Sequence, residues 1–201
     1  MGVYGIVVCG GQSLRMGTDK SQLVYYEKPQ YEHVHHTLVP LCEKVVISCN
    51  AGQAGTISGN YERVVDLPQF SGNGPIAAIL SAFQTYPGHD LLVAGCDYPF
   101  LTIRELTFFL HSIKRDTLAA AFYNEADKYE PLLAWYSSDC APILRINYEN
   151  GDYALQYFLQ KVGAEKYRPE SKNVVTSIDT PEDFKKVRDL LARQNDHENG
   201  N

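Results

Sequence analysis

Short β-branched and apolar runs alternate along this chain with longer segments of helical period, a pattern that few folds accommodate. The runs lie at Val3 to Cys9, Val45 to Ser48, Arg63 to Val65, Leu91 to Ala94, Ala119 to Phe122 and Leu132 to Tyr136. Helical periodicity covers Tyr31 to Leu41, Pro75 to Thr85, Ile103 to Lys114, Pro142 to Tyr148, Ala154 to Val162 and Pro181 to Arg193. Strand followed by helix followed by strand builds a mostly parallel sheet with helices on both faces, so the expectation is a three-layer α/β/α domain. Two helix starts carry their own chemistry: Thr102 can cap Ile103-Arg104-Glu105, and Thr180 precedes Pro181 with Glu182 and Asp183 in the first turn.

Length and linkers set the domain count. The chain has 201 residues and no internal linker, so residues 1–193 read as one domain and the polar stretch 194–201 as a frayed, disordered tail. Nothing in it reaches the ~18 apolar residues of a membrane span, and the N-terminal run is too short and lacks the basic flank of a signal peptide. A cytoplasmic protein that does not engage a membrane is expected. Net charge is −6, which disfavours a nucleic-acid partner, since phosphate-backbone binding draws on a lysine and arginine excess. The five cysteines, Cys9, Cys42, Cys49, Cys96 and Cys140, show neither CxxC spacing nor a Cys/His cluster and read as buried thiols. Of the histidines, only His33 and His36 share a helix face, and a solvated face is expected rather than a metal site.

Three segments carry chemistry. The first, Cys9-Gly10-Gly11-Gln12-Ser13-Leu14-Arg15-Met16-Gly17-Thr18-Asp19-Lys20, follows the first strand directly. Its glycines let backbone N–H groups approach a phosphate, and Arg15 and Lys20 add positive charge. The spacing fits neither GxGxxG nor GxxxxGK[ST], so dinucleotide-binding and P-loop readings fail. On its own the segment is equally consistent with an ordinary βα turn. The second, Gly95-Cys96-Asp97-Tyr98-Pro99, ends a buried strand in an acid before a proline-fixed turn. Ligands of open α/β sheets sit beyond the carboxyl ends of the strands, where Asp97 would be placed to hold Mg²⁺. The third, Asp66-Leu67-Pro68-Gln69-Phe70-Ser71-Gly72-Asn73-Gly74-Pro75, gathers conformationally special residues ahead of an apolar helix.

Together these segments resemble the molybdenum cofactor guanylyltransferases, the MobA-type nucleotidyltransferases. The family's LAGGxSxRMGxDKxxL is matched by Val8 to Leu23, its GPLAGI by Gly74 to Ile79, its CDxPxL by Cys96 to Leu101, its HPLxALY-like strand by Glu130 to Tyr136, and its NxNTPED by Ser177 to Asp183. Cys9 stands for the usual alanine, Ala78 for a glycine, Glu130 for a frequent histidine, and Ser177 and Asp179 for two asparagines.

The resemblance implies a Rossmann-like fold of the nucleotide-diphospho-sugar transferase type. It also implies nucleotide contacts from Val8, Cys9, Gly10, Gly11, Asn50 and Asp66, phosphate neutralisation by Lys20 with Arg15, and Mg²⁺ at Asp97. Asp179, which replaces a family asparagine, reads either as a second magnesium ligand or as a cap ahead of Thr180-Pro181. The reaction implied moves GMP from GTP to the phosphate of molybdopterin or molybdenum-molybdopterin, an acceptor that a cofactor-delivery protein could hand over. A cytidylyl or sugar-type transferase of the same fold, and a GTP-binding module without turnover, are the alternatives.

Overall fold

A computed structural model describes residues 2–9 and 18–198, with side chains described through Leu191. The strands are β1 (Val3–Val8), β2 (Lys44–Cys49), β3 (Arg63–Val65), β4 (Asp90–Gly95), β5 (Ala119–Tyr123), β6 (Tyr129–Tyr136) and β7 (Glu165–Tyr167). The helices are α1 (Gln30–Leu38), α2 (Pro75–Thr85), α3 (Ile103–Ser112), α4 (Ala141–Glu149), α5 (Leu155–Lys161) and α6 (Pro181–Glu198). One sheet contains all seven strands in the order β3-β2-β1-β4-β6-β5-β7, and β6 alone runs against its neighbours.

Strands β1, β2, β4 and β5 are largely apolar because both faces of the sheet are covered there. Successive side chains point to opposite faces. Ile6, Val8, Leu91, Val93, Ala119 and Ala121 thus pack with α2, α4 and α5, while Val7, Leu92, Ala94, Ala120 and Phe122 pack with α1 and α3. Gly5 admits α1 closely, since a Cβ there would lie 3.3 Å from Leu38 Cβ at the end of that helix. Phe109 of α3 is fully buried on Phe122 and Tyr167, and its truncation to alanine should cost about 3 to 5 kcal/mol. A third, smaller cluster joins Phe184, Val187 and Leu191 of α6 to Leu23, Tyr25 and Ile178, so the last helix closes over the segment that follows Lys20.

The caps form as expected. Thr102 Oγ1 accepts from the Glu105 N–H at 3.3 Å, and Thr180 Oγ1 accepts from the Asp183 N–H at 3.2 Å and donates to the Asp183 carboxylate at 2.7 Å. Several boundaries differ. The helix expected to reach Leu41 turns to 3₁₀ geometry over Val39–Leu41, where Pro40 supplies no N–H. The last helix runs past Arg193 to Glu198, so residues 194–198 of the expected tail are helical; neither glycine nor proline interrupts Glu182 to Glu198, and polarity alone does not stop a helix. β7 was not expected. Its three residues, Glu-Lys-Tyr, carry no apolar run.

All five cysteines are free. Contrary to the expectation of a solvated face, His33 is partly buried and stacks on Tyr26, with ring centroids 4.4 Å apart, and its burial lowers its pKa. Among the described residues no group of three metal-ligating side chains occurs, and no helix is long and apolar enough to cross a membrane.

Candidate active site

Because six strands are co-directional, their carboxyl ends meet at one edge of the sheet. Cys9, Asn50, Asp66 and Asp97 each follow such an end, after β1, β2, β3 and β4 respectively. The reversed strand β6 brings its beginning to the same edge, where Glu130 meets the turn after β4. Gly10, Gly11 and Arg15 lie outside the described residues. Val8 is buried in the sheet, with its carbonyl accepting from the Cys96 N–H at 3.1 Å. Cys9 donates its N–H to the Ser48 carbonyl at 2.9 Å.

Asp97 sits at the floor of the crevice. Its side chain folds back over Gly95, where a Cβ would come within 2.5 Å of Oδ1, so glycine is required there by close approach rather than by conformation. Ser177 Oγ donates to Asp97 Oδ2 at 3.2 Å, and the Ile178 N–H donates to the Asp97 carbonyl at 3.0 Å. Burial raises the pKa of Asp97. The nearby Lys20 charge and the Ser177 hydroxyl oppose that rise, and Asp179 adds to it. Lys20 Nζ lies 2.5 Å from Asp179 Oδ1, the lysine side chain 20% exposed and the aspartate 55%. The strip 177–179 therefore joins the two sequence-predicted groups: Ser177 holds Asp97, and Asp179 holds Lys20. The substitutions of Ser177 and Asp179 for asparagine fall at these two contacts.

Asp66 stands on the other side of β1. Its N–H donates to the Cys49 carbonyl at 3.0 Å, which carries the chain past the end of β3. One carboxylate oxygen, Oδ1, is buried with no hydrogen-bond partner among the described residues, and desolvation pushes the group up to about 6. Asn50 turns its side chain toward its own loop, where Oδ1 accepts from the Gln53 N–H at 3.0 Å.

Gln53 is a residue that the sequence did not single out. Its Nε2 donates to the Cys9 carbonyl at 3.0 Å and to Asp19 Oδ2 at 2.9 Å, while its Oε1 accepts from the Asn50 N–H at 3.2 Å. Asp19 also accepts from the N–H and hydroxyl of Ser21, at 2.9 and 2.8 Å, and caps the 3₁₀ turn that contains Lys20. One amide thus ties together both ends of the 10–17 segment and the loop after β2. Only the residue types of its neighbours were legible, because the partners lie 34 and 44 residues away.

Toward β5 the polar groups pair with one another. Tyr98 donates to Glu130 Oε2 at 2.7 Å, and Asn124 Nδ2 donates to Glu130 Oε1 at 2.7 Å. Beside them a cavity of about 290 Å³ is lined by Pro75, Tyr98, Pro131, Leu132, Tyr153 and Leu155. A larger cavity, about 550 Å³, lies between Tyr26, His33, Lys28 and Arg188 and includes neither Asp66 nor Asp97, so size alone does not locate the chemistry.

Hard oxygen donors at Asp97 and Asp179, drawn toward one cation at Lys20, suit a divalent ion that takes one or two protein carboxylates and fills its shell with phosphate oxygens and water.

Comparison with known proteins agrees with this geometry. The pattern of the MobA-like NTP transferase domain matches residues 5–167. A molybdenum cofactor biosynthesis bifunctional protein of Synechocystis is 27% identical over 187 residues, 92% of this chain but 53% of that protein, so the chain spans about half the length of that relative. A molybdenum cofactor guanylyltransferase of Pasteurella multocida is 26% identical over 195 residues, covering 94% of this chain and 96% of that protein. The crystal structure of molybdopterin-guanine dinucleotide biosynthesis protein A from Archaeoglobus fulgidus superimposes with a TM-score of 0.78 at 25% identity, over 94% of this chain and 99% of that one. With the matched pattern running through β1, the Asp66 loop, Asp97 and β6, the chain belongs to the MobA-like NTP transferase domain family and is a nucleotidyltransferase.

Proposed function

We propose that this chain transfers GMP from GTP to the phosphate of a molybdopterin-type acceptor and releases pyrophosphate. The observation that carries this reading is the junction of Lys20 and Asp97 through the 177–179 strip, since a cation and a carboxylate at one crevice floor suit a triphosphate with its metal. An acceptor phosphate oxygen attacks the α-phosphorus in line with the departing pyrophosphate. Two anions must approach, so catalysis rests on positioning and charge neutralisation.

Lys20 exchanges Asp179 for phosphate oxygens when nucleotide arrives, and Arg15 is assigned to the same task. Gln53 holds the two ends of the glycine loop so that its N–H groups can converge on phosphate. Asp97, with Asp179 as a second carboxylate, would hold Mg²⁺, which would supply neutralisation of charge on the reacting phosphates. The acceptor phosphate is already ionised at neutral pH, so no general base is assigned.

Asp66 supplies guanine selection. Its buried oxygen, unpaired among the described residues, suits the adjacent N1–H and N2–H₂ donors of guanine, whereas adenine and cytosine set an acceptor ring nitrogen beside their single amine, which a carboxylate repels. The apolar cavity beside Tyr98 and Pro131 is assigned to the acceptor's flat ring system. Calorimetric titration with the four NTPs and Mg²⁺ tests the guanine assignment: GTP should bind at least about tenfold more tightly than CTP or ATP, and equal affinities would overturn it.

A further inference from the structure

Cys9 and Cys96 bring two thiols into sulfur contact at the root of the site. Their Sγ atoms are 3.6 Å apart although the residues are 87 positions apart in sequence, and both side chains are buried. Strand pairing explains the contact. β1 and β4 are parallel neighbours with Val8 opposite Gly95, and the Cys96 N–H donates to the Val8 carbonyl, so continuing the register by one residue places Cys9 beside Cys96. Neighbouring strands lie ~4.8 Å apart, within the ~4.4 to 6.8 Å between Cα atoms that a disulfide spans. Both thiols lie on the same sheet face, in the cluster with Val7 and Ala94. Cys49 of β2 falls on that face one strand further along, but Cys9 and Cys96 are the pair in sulfur contact among the described residues. Cys9 stands where the family carries alanine, so the pair belongs to this chain rather than to the family's opening motif.

We infer that Cys9 and Cys96 form a reversible disulfide under peroxide and that this bond switches off the site. The inference rests on the nucleotidyltransferase reading for its effect on turnover, and on geometry alone for the bond. The sulfur of Cys9 attacks one peroxide oxygen; the O–O bond breaks, the thiol proton passes to the departing hydroxide, which leaves as water, and Cys9 becomes a sulfenic acid. Cys96 sulfur then attacks the Cys9 sulfur, the S–O bond breaks, and a second water leaves with the thiol proton. Two thiols are oxidised by two electrons and one peroxide is reduced to two waters.

Closing the bond requires the sulfurs to approach by about 1.5 Å. Cys9 adjoins the 10–17 segment and its carbonyl is held by Gln53, while Cys96 adjoins Asp97, so the bond pulls directly on both sides of the crevice.

The test treats reduced protein with hydrogen peroxide, maps the linkage by mass spectrometry, and follows GTP turnover and unfolding temperature before and after dithiothreitol. Turnover of the reduced protein is read first, so a failure of the functional reading is visible before any oxidant is added, and the linkage map then decides the bond. The expected result is a Cys9–Cys96 peptide, a raised unfolding temperature because the bond restricts the unfolded chain, and at least about a tenfold loss of turnover that dithiothreitol restores. Cys96→Ala should keep reduced-state turnover and lose its reversible sensitivity, and Cys9→Ala should yield no Cys96-linked peptide. A map without this linkage, linked protein with unchanged turnover, or Cys96→Ala inhibited as strongly as the parent would each overturn the proposal.

Discussion

Asp66, after β3, keeps one buried carboxylate oxygen without a partner among the described residues, whereas Glu130, at the start of β6, has both oxygens filled by Tyr98 and Asn124. The two acids lie on opposite sides of the Asp97 crevice. Buried polar groups are nearly always satisfied, so the Asp66 side has a hydrogen bond still to gain among the described residues, while the Glu130 carboxylate is filled and fixes the turn after β4. On the proposed assignment, the nucleotide takes the Asp66 side, which has a hydrogen bond to gain, and the acceptor takes the side with the cavity beside Tyr98.

The largest effect that would break this comparison belongs to Asp97, which stands between the halves. Asp97→Asn should lower Mg²⁺-dependent turnover about a hundredfold or more with the fold intact, since burial already disfavours the charged form. Circular dichroism supplies the folding control, and wild-type magnesium dependence in a folded variant would remove Asp97 from the metal site.

Lys20→Ala should cost about 1.5 to 3 kcal/mol in nucleotide phosphate contact. Its pair with Asp179 is partly exposed, so the melting temperature should move by the equivalent of less than about 1 kcal/mol. Unchanged turnover with a large stability loss would mark the lysine as structural.

Gln53→Ala should lower turnover about tenfold and also lower stability, because the Cys9 carbonyl and Asp19 lose a shared donor. Gln53→Glu sharpens the point, as a carboxylate beside Asp19 repels where the amide donates. An equal effect of both variants on stability with none on turnover would confine Gln53 to folding.

Asp66 gives the smallest and most specific effect. Its folded pKa is about 6, raised above the ordinary 3.8 by desolvation. A raised acid holds its proton more tightly in the folded chain, so ionisation destabilises the fold: the penalty is absent below pH about 4, grows as pH rises, and is complete above pH about 6. Asp66→Asn should therefore raise the melting temperature at pH 8 by about 2 to 4 °C per kcal/mol relieved, with little change at pH 4. In the parent, GTP affinity should increase from pH 5 to pH 7.5 as the acceptor ionises, and the variant should lose that increase. A pH-independent affinity in the parent would remove Asp66 from base recognition.

The sequence reading succeeded where chemistry is local. Strands carried by apolar runs and helices opened by Thr102 or Thr180 could be placed, because the residues that cause them are adjacent. β6 began three residues early, at Tyr129, although Pro131 lies within it. The pairing with β5 shifts between Ala121 and Phe122 opposite that proline, so its missing N–H falls where the ladder is already broken. β7 escaped because an edge strand of Glu, Lys and Tyr is held by its pairing with β5 rather than by its own composition. The positions of Lys20, Asp66 and Asp97 at the carboxyl-end edge of the sheet were legible, since each follows a strand or the glycine loop. Gln53, the Ser177 contact and the Tyr98–Glu130 bond were not, since each depends on chain segments brought together from 32 to 80 positions apart.

The most direct measurement of the central claim is pyrophosphate release when the reduced protein is incubated with molybdopterin, Mg²⁺ and each NTP in turn. Release that requires molybdopterin and Mg²⁺, with GTP favoured at least about tenfold over CTP and ATP, is the predicted result. Release independent of the acceptor, or equal with CTP, would contradict guanylyl transfer at this crevice.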